Sequence, residues 1–116
     1  MPPRLTIAAA LAVCALLLPA CGQSFCARLA ATNQALVDKA KACPDHQVAA
    51  GPSEATCEAN RGPCTAAELD VLERQFDCLA KVPACVAGAE ASWQGQLAAC
   101  APASGPVSSG CLDALT

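Results

Sequence analysis

Pro63-Cys64-Thr65-Ala66-Ala67-Glu68-Leu69-Asp70-Val71-Leu72-Glu73-Arg74-Gln75-Phe76-Asp77-Cys78-Leu79-Ala80-Lys81 is the stretch that decides the fold class. Thr65 followed three residues later by Glu68 is a capping box, in which the hydroxyl and the carboxylate each take up a backbone N–H that the first helical turn leaves without a partner. Leu69, Leu72, Phe76 and Leu79 then recur at three- and four-residue steps, which lines them along one side of a helix and turns Asp70, Glu73, Arg74 and Asp77 to a solvated face. Pro83 stops the helix just after Lys81.

The same period extends outward in both directions. Ser24 is a good N-cap for a helix carrying Phe25, Leu29, Thr32, Leu36, Ala40 and Cys43 on one side, ended by Pro44. A third helix is predicted from about Val86 to Ala101, with Ala89, Trp93, Leu97 and Cys100 aligned and Pro102 after it; Gly88 and Gly95 weaken it. Trp93, on that apolar side, belongs to the core by this reading rather than to an exposed binding surface. After the turn-forming Ala101-Pro102-Ala103-Ser104-Gly105-Pro106, Ser108 or Ser109 caps a short last helix with Cys111, Leu112 and Leu115. Between the first two helices, Asp45 to Pro63 has no sustained period and reads as a loop. No period-two pattern competes, so the expected fold is all-α: a small disulfide-stapled bundle of three helices plus a short C-terminal helix.

Such a bundle has little with which to fill a core. Phe25, Phe76 and Trp93 are the whole aromatic complement of the 116 residues, and small domains in this position commonly depend on covalent cross-links. Cysteine supplies them. From Cys26 onward there are eight: Cys26, Cys43, Cys57, Cys64, Cys78, Cys85, Cys100 and Cys111. None stands in a C-x-x-C spacing and no haem-attachment signature occurs, so structural disulfides are expected, with no bound metal and no cofactor. Cys64 and Cys78 lie close to four helical turns apart, and Cys85 and Cys100 nearly so. An antiparallel hairpin would therefore pair Cys64 with Cys100 and Cys78 with Cys85, leaving Cys43 for Cys57 and Cys26 for Cys111.

The first twenty residues have a different character. Arg4 precedes an apolar run from Leu5 to Leu18, after which come Pro19, Ala20 and Cys21. The run is about 14 residues long, short of the ~20 that a membrane-crossing helix needs, and it reads as a cleaved secretory signal. Leu18-Pro19-Ala20-Cys21 resembles the lipobox of bacterial lipoproteins. That resemblance, confined to this tetrapeptide and the apolar run, implies removal of residues 1–20 and thioether lipidation of Cys21. The mature amino group is then commonly acylated too, and Gly22 at the next position implies transport to the outer membrane. Residues 21–23 would be a short tether and 24–116 the folded domain. Parity agrees with this division: Cys14 leaves with the signal and Cys21 takes lipid, so an even set of eight remains. In a plain secreted protein Cys21 would instead be one more disulfide partner, leaving an odd thiol.

Charge and motifs narrow the function classes. The formal net charge is −3, and without Arg4 six basic side chains face ten acidic ones; with no Lys/Arg cluster, nucleic acid is not an expected partner. No G-x-S-x-G, P-loop or G-x-G-x-x-G is present, and enzyme activity is not expected. His46, the lone histidine, sits in the predicted loop with Asp45, Glu54 and Glu58 nearby in sequence, and reads as an exposed loop residue rather than as a ligand. The segment Cys57 to Cys64, presenting Arg61, resembles exposed loops of protease inhibitors. The general architecture also resembles that of helical eight-cysteine proteins that carry lipids, although their adjacent Cys-Cys and Cys-x-Cys motifs are missing. The expectation is a non-enzymatic envelope lipoprotein, held to the membrane by its lipid and serving as a structural module or one that binds a protein of the envelope. Inhibition through Arg61 and carriage of an apolar ligand are the alternatives.

Overall fold

The computed structural model describes residues 23–101 and 106–116. Over these the chain is all-helical: α1 (Phe25–Lys39), a single 3-10 turn (Pro44–His46), α2 (Glu54–Asn60), α3 (Ala66–Lys81), α4 (Glu90–Ala99) and α5 (Ser109–Ala114). The expected signal segment, the lipobox and the stretch 102–105 lie outside the described residues.

Local chemistry sets most of the helix starts. Ser24 accepts the Ala27 N–H at 3.1 Å, Ser53 accepts from Thr56, and Ser108 accepts from Cys111. Thr65 and Glu68 form the reciprocal box expected of them, at 3.2 and 3.1 Å. Lys39 reaches from the end of α1 to donate to the carbonyls of Leu79 and Ala80, at 3.0 and 3.1 Å, placing its charge at the negative end of α3.

Three expectations about the elements need correction. The loop over 45–63 contains α2, because Ser53 caps it; its seven residues are too few to display a period, and only Cys57 is buried. The first helix stops at Lys39, short of Cys43, and the chain turns so that Gln47 can bond the carbonyls of Ala40 and Cys43. The third helix begins at Glu90, not near Val86. Gly88 takes φ +89° ahead of it, a left-handed turn that halts any earlier helix.

Two buried clusters share the molecule. In the first, Phe25, Leu29, Leu72, Phe76 and Leu115 pack with Cys26, Cys57 and Cys111; the rings of Phe25 and Phe76 lie 5.4 Å apart. The second holds Ala40, Cys43, Val82, Cys85, Trp93 and Cys100. Trp93 is 2% exposed and its indole N–H donates to the Pro83 carbonyl at 3.0 Å, which confirms it as a core residue. Each cluster contains two disulfides. Cys26–Cys57 and Cys64–Cys111 staple the first, and Cys43–Cys85 and Cys78–Cys100 the second.

None of the four pairings expected from a helical hairpin is formed: Cys64 does not meet Cys100, Cys78 does not meet Cys85, Cys43 does not meet Cys57, and Cys26 does not meet Cys111. The hairpin scheme assumed that α3 and α4 were joined by a tight turn. The connector from Val82 to Ala89 is instead extended enough for the Cys85 N–H to bond the Lys39 carbonyl at 2.8 Å, so Cys85 is spent on the end of α1. α2, unexpected from the sequence, brings Cys57 to Cys26 in the same way.

Candidate functional site

The apolar stripe of α1 is covered at its two ends and bare between them. Phe25 and Leu29 enter the first cluster, and Ala40 closes against the second. Thr32 and Leu36, which occupy the same side in between, stay half-buried and line a surface groove of about 210 Å³ with Ala31, Ala35, Leu79 and Ala80. The gap has a simple origin: three of these six side chains are alanine, too short to close the space between α1 and α3. Lys39 bounds one end of the groove, its ammonium already committed to the two α3 carbonyls.

Thr32 and Leu79 also line a second groove, of about 230 Å³, which runs on past Leu72 and Phe76 to Leu112 and Leu115 of the C-terminal segment. The two grooves share only Thr32 and Leu79, flanking the α1–α3 seam on either side; Asn33, Gln75 and Thr116 also line the second, which ends beside Leu112, itself 44% exposed. Charge also spans the seam. Arg28 pairs with Asp77 at 2.7 Å and Glu73 at 3.4 Å, and its guanidinium lies 5.9 Å from the Phe76 ring centre. Glu73 and Asp77 lie on the solvated face of α3, as expected, and pair there with α1. Chemically, grooves lined mostly by alanine, leucine and phenylalanine suit apolar side chains or short alkyl groups.

The residues singled out from the sequence fall elsewhere. His46 is half-buried in the 3-10 turn, with Nδ1 at 3.0 Å from the Gln94 amide, so it ties that turn to α4. Among the described residues no three His, Cys, Asp or Glu side chains are gathered as a metal would require. Arg61 ends α2 in a helical conformation, φ −72° and ψ −1°, and pairs with Glu58 at 3.1 Å. A protease reads its ligand as an extended strand, and this backbone is coiled. Cys57 and Cys64 do not bond each other across that segment; each bonds a separate helix.

Glu68 is more than half of a capping box. Its other oxygen accepts the Ser108 N–H at 2.6 Å, so one buried carboxylate joins the starts of α3 and α5. The two backbone N–H groups, Ser108 first and Thr65 second, hold its pKa down at about 2. No spacing rule links positions 68 and 108, whereas the bare middle of α1 had a faint signature in the run of alanines around Thr32 and Leu36.

This chain matches no known protein family, no curated protein and no solved structure. Disulfides throughout the domain suit an oxidising extracellular or envelope compartment. Among the described residues, no helix is long and apolar enough to cross a membrane.

Proposed function

We propose that this protein is a bacterial envelope lipoprotein, anchored through lipidated Cys21, whose helical domain is a non-enzymatic module that binds another envelope protein. The observation that carries the anchor is the closed set of bridges. All eight cysteines from Cys26 onward are paired with one another, so the domain makes no demand on the Cys21 thiol. A diacyl chain pair on that thiol would hold the protein at a membrane surface, each buried methylene contributing ~0.8 kcal/mol. With α1 starting at Phe25, the domain would lie close against the lipid, and the outer membrane is the destination that Gly22 suggests.

The binding role is supported by the two shallow grooves beside the α1–α3 seam. At about 210 and 230 Å³, each is smaller than the ~300–1,000 Å³ cavities that enclose small molecules. A shallow apolar groove of this kind fits the protruding side chains of a partner protein better than a carried lipid. Inhibition through Arg61 is the weaker reading, because its backbone is helical where a protease would require an extended one.

Radiolabelled palmitate fed to cells expressing the full chain tests the anchor: label on the wild-type protein and none on Cys21→Ser is the expected result. Unlabelled wild-type protein released as a soluble species would overturn it. A photo-crosslinking residue at Ala35 in intact envelopes tests the binding role. A discrete heavier protein adduct is expected there, and adducts to lipid alone would favour the carrier.

A further inference from the structure

The four bridges are unequal in what surrounds them. Cys26, Cys57, Cys43 and Cys85 are all between 0% and 3% exposed, so the Cys26–Cys57 and Cys43–Cys85 sulfurs are closed to an attacking group. In Cys64–Cys111, Cys64 is half-buried but Cys111 is fully enclosed. A thiolate striking Cys64 would have to expel Cys111 as an anion among apolar side chains, at a heavy desolvation cost. Cys78–Cys100 differs: Cys78 is half-buried, and Cys100, 7% exposed, still lines with it one surface groove of about 360 Å³, shared with Val71, Arg74, Gln75 and Pro106. It also closes the shortest stretch of chain, 22 residues against 31, 42 and 47 for the others, so breaking it releases the least conformational freedom.

Arg74 adds direction. It lies four residues before Cys78 on α3, hence on the same side of that helix, and it lines the same groove. A thiolate forming on Cys78 would meet the positive guanidinium. Cys100, at the C-cap of α4, faces the negative end of a helix instead.

We infer that the Cys78–Cys100 bridge is a thiol–disulfide exchange site, at which an incoming thiolate bonds the Cys100 sulfur and Cys78 leaves as a thiolate beside Arg74. The S–S bond of the bridge breaks as the mixed disulfide forms, and the Cys78 sulfur takes the electron pair. A second thiolate attacking the mixed disulfide would complete a two-electron reduction; attack by Cys78 itself restores the bridge. Opening this bridge frees the far end of α4, while Cys43–Cys85 and the buried Trp93 keep its near end in place.

The test uses the purified full chain in neutral buffer without denaturant, treated with mercaptoethanol, an uncharged thiol. Alkylation quenches the reaction and peptide mapping locates the products. Early product should carry mercaptoethanol on Cys100 and alkyl label on Cys78, with Trp93 fluorescence still that of a buried indole. Arg74→Gln should slow this step roughly threefold, the scale of one exposed charge acting on a forming thiolate, and Arg74→Lys should restore it. First reaction at any of the other six cysteines, all eight thiols appearing together, or an unchanged rate in Arg74→Gln would overturn the assignment.

Discussion

Glu68 shows how much one side chain can hold together. One carboxylate oxygen closes the first turn of α3 through Thr65, and the other accepts the N–H of Ser108, the residue that caps α5. Its anion also sits at the positive ends of two helices. Since the folded pKa is lowered from 4.5 to about 2, the stabilisation is present above pH 4.5 and is lost as the pH falls through about 2. Asp38, lowered by its bond to Lys41, and Glu90, lowered by the Gly88 N–H, act in the same sense. The protection factors of the Ser108 and Cys111 amides, corrected for the intrinsic pH dependence of exchange, should therefore fall as the pH drops from 4.5 towards 2. In Glu68→Gln these amides should be less protected at neutral pH and their protection nearly flat across that window. An unaltered pH slope in the variant would contradict this role. Thr65 and Glu68 were legible as a local pair, but Ser108 was not, because forty residues separate it from the carboxylate.

Among the elements, the long helices declared themselves and the short ones did not. α1 and α3 are long enough to repeat an apolar side several times, so spacing alone located them. α2 and the shortened α4 owe their limits to single residues, a Ser53 cap in one case and a left-handed Gly88 in the other. The two glycines near α4 make opposite predictions. A Cβ meets nothing within 4 Å at either Gly88 or Gly95, so packing does not enter. Gly95→Ala, in the middle of a helix, should stabilise the protein by about 0.5–1 kcal/mol. Gly88→Ala should destabilise it by about 1–2 kcal/mol, because an L-residue resists positive φ. Urea unfolding followed by Trp93 fluorescence reads both, and shifts of the same sign would refute this account of where α4 begins.

At the scale of the molecule, two small clusters, each holding two bridges, sit at the ends of the α1 stripe, and the seam between them is left open. The open seam implies that its lining contributes little to stability. Leu36→Glu should change the unfolding free energy by no more than about 0.5–1 kcal/mol while abolishing the adduct formed from Ala35 in intact envelopes. A collapse of the fold in this variant would show the groove to be core rather than binding surface. The four bridges also explain how a chain with three aromatic residues maintains a defined interior: the cystine sulfurs occupy core volume that larger side chains fill in other small domains.

Sequence alone determined the helical class, the capping box of α3, the burial of Trp93 on the apolar side of α4 and the commitment of the later cysteines to disulfides. Each of these follows from residues a few positions apart, where backbone geometry fixes what can touch. Which cysteine meets which and the link from Glu68 to Ser108 were decided only by the tertiary structure. They depend on how connectors such as Val82–Ala89 route the chain, and that path is settled by packing between distant segments.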